Sequence, residues 1–391
     1  MKSIISEQIP LSVPYLSGRE WEYVKNCLDS SWVSTAGSFV SDFERVVAKY
    51  TGCEYGIAVM NGTSALHLAL KIMGVKPEEE VIVPTITFIA SINSIKYVGA
   101  HPVFMDADQY YNIDPMKTVG FLLNETYQKD KCCYNKRTNR KIAAIMPVHV
   151  FGNAVDIETL VNVCNELNIL IVEDATESIG TRYISGKYAG KHTGSIGDIG
   201  CISFNGNKII TTGAGGMIIT DNPEYAEKAK YFSTQAKDDE IRFIHNDVGY
   251  NYRMTNVQAA IGLAQMENLD NYINTKEKNY TKYKNEIDSI PGLRLNETPP
   301  YAKNNNWMYA LQINEKIYNL DIESTISLLS KRMIQSRPIW YPNHLQLPYM
   351  NEFSYNIQNA LELHKATINL PCSVNLTELQ INHIINSLKN K

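Results

Sequence analysis

Residues 55–108, YGIAVMNGTSALHLALKIMGVKPEEEVIVPTITFIASINSIKYVGAHPVFMDAD, decide the fold. Read in order, they give an apolar run (56–60), a stretch with apolar residues at helical spacing (63–73), a second run (80–84), a second helix (88–97) and a third run (102–106). Short apolar strands alternating with helices argue for a mostly parallel sheet covered on both faces, since such strands bury both of their sides. The alternation continues: helix 114–126, strand 141–147, helix 156–167, strands 169–173, 199–204 and 217–221, then helix 223–232. Ligands of such α/β sheets sit at the carboxyl ends of strands. The residues just after each run are therefore the ones to weigh.

Upstream, an extended start over 9–15 leads to Ser17 and Glu20, a capping-box pair opening a helix with Trp21, Val24 and Leu28 on one face. Ser41 and Glu44 repeat the device before Val46, Val47 and Tyr50, and WVSTAGSFV (32–40) lies between as an exposed or functional loop. Downstream, one helix is expected over 257–283, bridging to a smaller α+β domain over 290–391. The expected organisation is a large domain (1–256), then the bridging helix and small domain (257–391). KDKCCYNKRTNRK (129–141) reads as a basic loop, either solvated or touching an anionic ligand or partner.

The 391 residues are 44% hydrophobic and 20% charged with a net charge of −4, so no global field favours nucleic acid or an anionic membrane. Seven cysteines show no CxxC spacing, so neither zinc nor a redox dithiol is indicated; Cys132 and Cys133 read as loop thiols. The start, MKSIISEQIP, lacks the apolar core of a signal peptide. Residues 81–105 are the most apolar region, yet Thr85, Thr87, Ser91, Asn93 and Lys96 interrupt them, so they do not span a membrane. A cytoplasmic chain is expected.

One lysine draws attention. Lys208 sits in GCISFNGNKIITTGAGGMIITD (200–221), in a Gly/Asn turn between two strand-like runs. Most lysines are solvated surface residues. Here small residues clear space around the amine and strands hold it still, which suits a Schiff-base lysine as well. Asn61-Gly62-Thr63-Ser64 ends a strand and opens a helix, a place for a phosphate or merely a cap. Asp174, after the run 169–173, can solvate in a loop, bind Mg²⁺ or face a cationic ring nitrogen; the metal reading lacks a second clear acidic ligand except Glu177. Phe88 reads as a core aromatic or a ring stacker, Ser203 as a pleat hydroxyl or a phosphate ligand, and Asn251 and Arg253 as a helix entry. Together these parts describe a site for pyridoxal phosphate.

The chain resembles the DegT/DnrJ/EryC1/StrS family of nucleotide-sugar aminotransferases over nearly its whole length. WVSTAGSFVSDFE, NGTSALHLAL, VIVPTITFIAS, PVFMDAD, MPVHVFGN, VEDATESIG, TGSIGDIGCISFNGNK, GYNYRMTNVQAAIG, RPIWYP and NLP carry the likeness. It implies fold type I of the pyridoxal-phosphate transferases, with Lys208 as the Schiff-base lysine and Asp174 on the pyridinium nitrogen. It also implies Phe88 on the ring, and Gly62, Thr63 and Ser203 on the phosphate. Asn251 would reach the cofactor of the second subunit in a homodimer with shared sites. Glu177 stands near the phenolic oxygen where many relatives have Gln, and is expected to be protonated or turned away. Ser34, Thr35, Arg337 and His344 are the candidate substrate contacts. The expected activity is glutamate-dependent amination at C4 of UDP-4-keto-6-deoxy-N-acetylglucosamine, on a bacillosamine or legionaminic-type route, suggested by NKIITTGAGGMI. The alternatives are a GDP- or dTDP-linked keto-sugar, or a non-catalytic regulatory homologue.

Overall fold

The computed structural model describes residues 7–16, 18–239 and 241–391. Residues 1–6 and Ser17, the expected cap of the first helix, lie outside them. Helices α1 (Glu20–Asp29) and α2 (Ser38–Thr51) precede the alternating region. This region opens with β1 (Tyr55–Val59), α3 (Gly62–Ile72), β2 (Glu80–Pro84), α4 (Ala90–Tyr97), β3 (His101–Met105) and α5 (Pro115–Asn124). It continues with β4 (Thr126–Lys129), β5 (Cys132–Asn135), β6 (Lys141–Ile145), α6 (Ile157–Leu167), β7 (Leu170–Asp174) and β8 (Arg182–Tyr183). Strands β9 (Ile199–Ser203) and β10 (Gly216–Thr220) and helix α7 (Pro223–Ser233) close it, and α8 (Asn256–Met266) and α9 (Leu269–Ile287) lead out. The remainder holds β11 (Leu293–Leu295), β12 (Ala302–Lys303), β13 (Tyr309–Ile313), α10 (Glu315–Tyr318), α11 (Ile322–Lys331) and β14 (Arg337–Pro338). It ends with β15 (Ser354–Tyr355), α12 (Asn359–Ala366), β16 (Thr367–Leu370) and α13 (Glu378–Lys389).

The large sheet has the order β1-β10-β9-β7-β6-β2-β3-β15, with the β4–β5 hairpin attached to β6. Its centre is parallel; β10 runs antiparallel between β9 and β1. Two reversals leave β1 pointing the same way as β9, so the carboxyl ends of β1, β2, β7 and β9 share one edge. Successive side chains of a strand face opposite ways. Val81 and Val83 accordingly pack with Leu66 and Ile92 of α3 and α4, and Ile82 with Phe121 and Leu160 of α5 and α6. That double burial is why the strands read as continuous apolar runs. The smaller sheet, β11-β13-β16-β14, is antiparallel throughout. Ile287, Leu329, Leu363 and Ile384 of the surrounding helices share its core. The expected α/β fold with a smaller C-terminal α+β part is what the chain adopts.

Several local expectations fail for physical reasons. The basic stretch 129–141 is a hairpin and its return rather than a free loop. Asp130 and Lys131, both at positive φ (51° and 62°), make a two-residue turn whose twist suits paired strands. Tyr127 stacks on Tyr134, and buried Glu80 accepts from Asn135 Nδ2 (3.0 Å) and Thr138 Oγ1 (2.7 Å). The helix expected over 257–283 is two, α8 and α9. Ser41 and Glu44 cap nothing, because α2 begins at Ser38; Glu44 instead accepts from the Ala58 N–H (2.8 Å) and pairs with Arg253. Trp21 and Leu28 of α1 are exposed, and Cys27 turns inward beside Asn256.

One strand of the C-terminal part returns to the large sheet: β15 pairs in parallel with β3. Asp106, fully buried at the end of β3, accepts the N–H groups of Gln358, Asn359 and Ala360 and pairs with Lys117. A carboxylate at the start of α12 satisfies amides that helix geometry leaves free.

Candidate active site

The shared carboxyl edge opens into a cavity of about 500 Å³. Asn61 follows β1 and caps α3 by accepting the Ser64 N–H (2.8 Å), so the positive end of the helix faces the cavity beside Gly62 and Thr63. A Cβ on Gly62 would lie 2.9 Å from Ser203 Cβ, 3.1 Å from Ser203 Oγ and 3.2 Å from Thr176 Cγ2. Only glycine leaves that cradle open. After β2, the turn Thr85–Phe88 brings Phe88 to the rim, 54% exposed as a residue, so it is no core aromatic. Asn343 holds this turn, its Nδ2 donating to the carbonyls of Thr85 (3.1 Å) and Thr87 (2.8 Å). Asp174 ends β7; its Oδ2 accepts from Ser91 Oγ (2.7 Å) and its Oδ1 from the Thr176 N–H (3.1 Å).

Lys208 follows β9 in a turn closed by its N–H to Asn205 O (3.0 Å). Its Nζ lies 3.8 Å from the centroid of the Trp307 ring and 3.7 Å from Glu177 Oε1. Burial pulls the lysine below its ordinary value, against the pull of Glu177 and Asp174. Burial pushes Glu177 up to about 7, and Lys208 and the Phe151 N–H only partly offset it. Both groups move toward neutrality in a dry site. The second carboxylate oxygen, Oε2, accepts that Phe151 N–H (2.8 Å). Glu177, expected to be protonated or turned away, faces the cavity, and burial favours its neutral form.

Beneath the floor, Glu173 has its side chain wholly buried. It accepts from His149 Nε2 (2.9 Å) and from the N–H groups of Gly194 (2.8 Å), Ile196 (2.7 Å) and Gly197 (2.6 Å). Burial alone would raise its pKa; the bonds from His149, Gly197 and Gly194 overcome that and leave it lowered.

Of the expected site residues, Gly62, Thr63, Phe88, Asp174, Glu177, Ser203, Lys208 and Arg337 line this one cavity. His344 does not; its Nδ1 meets Thr85 Oγ1 (2.7 Å), behind the Phe88 turn. Ser34 and Thr35 are exposed between α1 and α2, and Asn251 is exposed beyond α7. Trp307, Trp340, Asn369 and Ser91 also line the cavity and were not singled out from the sequence. The one available signal was the run of three asparagines before Trp307, all buried. Among the described residues no cluster could hold a metal, and no helix is long and apolar enough to cross a membrane.

Comparison with known proteins matches residues 14–389 to the DegT/DnrJ/EryC1/StrS aminotransferase family. The chain is 38% identical over 386 residues to GDP-perosamine synthase of Caulobacter vibrioides, covering 97% of each. It is 36% identical over 380 residues to GDP-perosamine synthase of Escherichia coli O157:H7, again 97% of each. Its fold is similar to Helicobacter pylori PseC, an aminotransferase involved in the biosynthesis of pseudoaminic acid, with a TM-score of 0.87, 23% identity, and 98% of this chain and 99% of that one covered.

Proposed function

The chain belongs to the DegT/DnrJ/EryC1/StrS aminotransferase family, and from that premise we propose that it transfers an amino group from glutamate to C4 of a GDP-linked 4-keto-6-deoxy sugar, such as GDP-4-keto-6-deoxymannose. It is a pyridoxal-phosphate-dependent sugar aminotransferase. The two GDP-perosamine synthases, matched over 97% of their length, support a GDP carrier over the UDP carrier and bacillosamine route expected from the sequence. This is the observation that carries the choice of sugar.

The cavity suits the cofactor. The glycine-opened cradle of Gly62, Thr63 and Ser203 at the start of α3 would take its phosphate. Asp174 would face its ring nitrogen as an anion, held by Ser91 and Thr176, and Phe88 would cover one ring face. Pyridoxal phosphate supplies an aldehyde that captures amines and a ring that draws electrons from the carbon beside the captured nitrogen. Lys208 does the protein's share: its Nζ, confined between Trp307 and Glu177, takes a proton from one carbon and returns it to another. Glu177 in its neutral form would spare the cofactor's phenolic oxygen a neighbouring charge. Arg337, lining the same cavity, would meet an anionic group of either substrate. Asn251, exposed in the single chain, would complete the partner site of a homodimer.

The test is a side-by-side assay of GDP-4-keto-6-deoxymannose and UDP-4-keto-6-deoxy-N-acetylglucosamine with glutamate, with products read by mass spectrometry. The GDP compound should gain the amino group with the higher kcat/KM, and Lys208→Ala should remove that activity. Preferential amination of the UDP compound would overturn the carrier, and turnover by Lys208→Ala would overturn the site.

A further inference from the structure

Trp307 reaches Lys208 from the C-terminal part of the chain, just before β13, and two hydrogen bonds fix it. Its indole N–H donates to the carbonyl of Asn207, the residue before Lys208 (2.7 Å). Its main-chain N–H donates to Asn305 Oδ1 (2.9 Å). The same asparagine is fully buried and donates through Nδ2 to the carbonyls of Glu177 (2.9 Å) and Ile179 (3.0 Å). Its own N–H donates to Thr181 Oγ1 (3.0 Å), whose hydroxyl donates to Gly152 O (2.7 Å). Gly152 is shaped to this asparagine: at φ +86° a Cβ there would lie 1.9 Å from Asn305 Oδ1. Behind Trp307, Trp340 stacks on it (6.4 Å between centroids) and Phe151 stacks on Trp340 (5.0 Å). One asparagine thus sets the backbones of both groups that touch the Lys208 amine.

We propose that Trp307 is a positioning residue for Lys208, forming with Glu177 a two-sided clamp, aligned by Asn305, that fixes Nζ and sets how firmly it keeps its proton. The proposal rests on Lys208 being the reactive amine. The charged groups around Nζ are Glu177 and Asp174, with Arg337 farther along the same cavity. Burial disfavours the ammonium, whereas the face of an indole ring and a carboxylate both favour it. The two arms differ in one respect: Glu177 can take the proton and the indole cannot. The ring therefore steadies the charge without competing for the proton, and Glu177 remains the exchange partner.

The experiment is competitive labelling of the full-length protein, freed of cofactor, with trace acetic anhydride from about pH 5 to about pH 11. The Lys208 peptide is followed by mass spectrometry, which gives the midpoint of this one amine whether or not it catalyses anything. Trp307→Leu keeps an apolar wall but removes the ring face, and should lower the midpoint by about one pH unit. Trp307→Phe keeps a ring face and should lower it by less than about half a unit; Glu177→Gln should lower it as well. An unmoved midpoint in Trp307→Leu, or equal shifts in Trp307→Leu and Trp307→Phe, would overturn the clamp and leave the role of Lys208 standing. A second measurement needs no change at Trp307. Indole fluorescence of the unaltered protein should show a pH step at the labelling midpoint, and Lys208→Met should lose it. Absence of the step, or its survival in Lys208→Met, overturns the proposal even where Trp307→Leu fails to fold.

Discussion

Glu173→Gln removes one charge and keeps the shape, so its cost can be worked from the contacts. The carboxylate faces four donors: Ile196 and Gly197 N–H on Oε1, and Gly194 N–H and His149 Nε2 on Oε2. His149 Nδ1 accepts the Val155 N–H (3.1 Å), so the imidazole proton sits on Nε2. A glutamine amide must turn its NH₂ toward one of the two pairs. The Oε1 pair is two backbone N–H groups and cannot adapt. On the Oε2 side the NH₂ confronts Gly194, and His149 can accept only by moving its proton to Nδ1 and losing Val155. Two hydrogen bonds to a charged acceptor are lost, at about 1.5–3 kcal/mol each, giving about 3–6 kcal/mol in all. At about 2 °C per kcal/mol for a chain of this size, scanning calorimetry should show a Tm lower by about 6–12 °C. The sign with pH follows from the lowered pKa of Glu173. Its stabilisation is fully present above the unfolded value of about 4.3 and is lost as pH falls through the folded one. The gap between the two proteins should be full at neutral pH and narrow below about pH 4. A Tm drop under about 2 °C, or a gap that widens in acid, would refute this reasoning.

Three more outcomes can be checked. Asp174→Asn should lower kcat by about 10²–10³ with Tm within about 2 °C of the original, because the Ser91 hydroxyl can turn and accept from the amide; unchanged kcat in steady-state assays would count against the ring-nitrogen contact. Gly62→Ala should weaken pyridoxal phosphate binding by about fivefold or more in an absorbance titration, since the new methyl fills the cradle at 2.9 Å from Ser203; equal affinity would place the phosphate elsewhere. Burial, helped by Arg182, pushes His192 to about 3. Because the unfolded chain binds that proton first, stability should fall as pH drops from about 6.5 toward 3, by up to about 1.4 kcal/mol per unit. His192→Gln should flatten that limb in urea titrations; an unchanged limb would assign it to another group.

The strands were legible because burial on two faces leaves long apolar runs, and their carboxyl ends pointed to Asp174, Ser203 and Lys208 without further help. The hairpin after α5 was not, since an edge strand packed on one side shows no such run; its pairing depends on positive φ at Asp130 and Lys131 and on buried Glu80. Ser41 and Glu44 matched a capping pattern, but pattern alone does not say where a helix starts, and Glu44 was committed to Arg253, far along the chain. Trp307 and Asn305 lie about a hundred residues from Lys208; Trp307 meets it, and Asn305 holds Trp307, only through tertiary structure, which no local spacing encodes. His344, read as a substrate contact, lies outside the cavity lining: a polar residue beside a Pro-rich turn looks available in sequence, whereas the fold gives its ring nitrogen to Thr85.

Strand β15 imposes an order on synthesis. Until residues 354–360 have left the ribosome, β3 has no neighbour on its outer side and Asp106 lacks the three amides it accepts in the finished protein. Asn369, on the cavity wall, arrives later still. A nascent chain can assemble the central parallel strands early, but it carries an open sheet edge and a half-built cavity until residues 354–369 have emerged. The cavity around Lys208 is therefore closed by a segment made long after the strands that present the lysine.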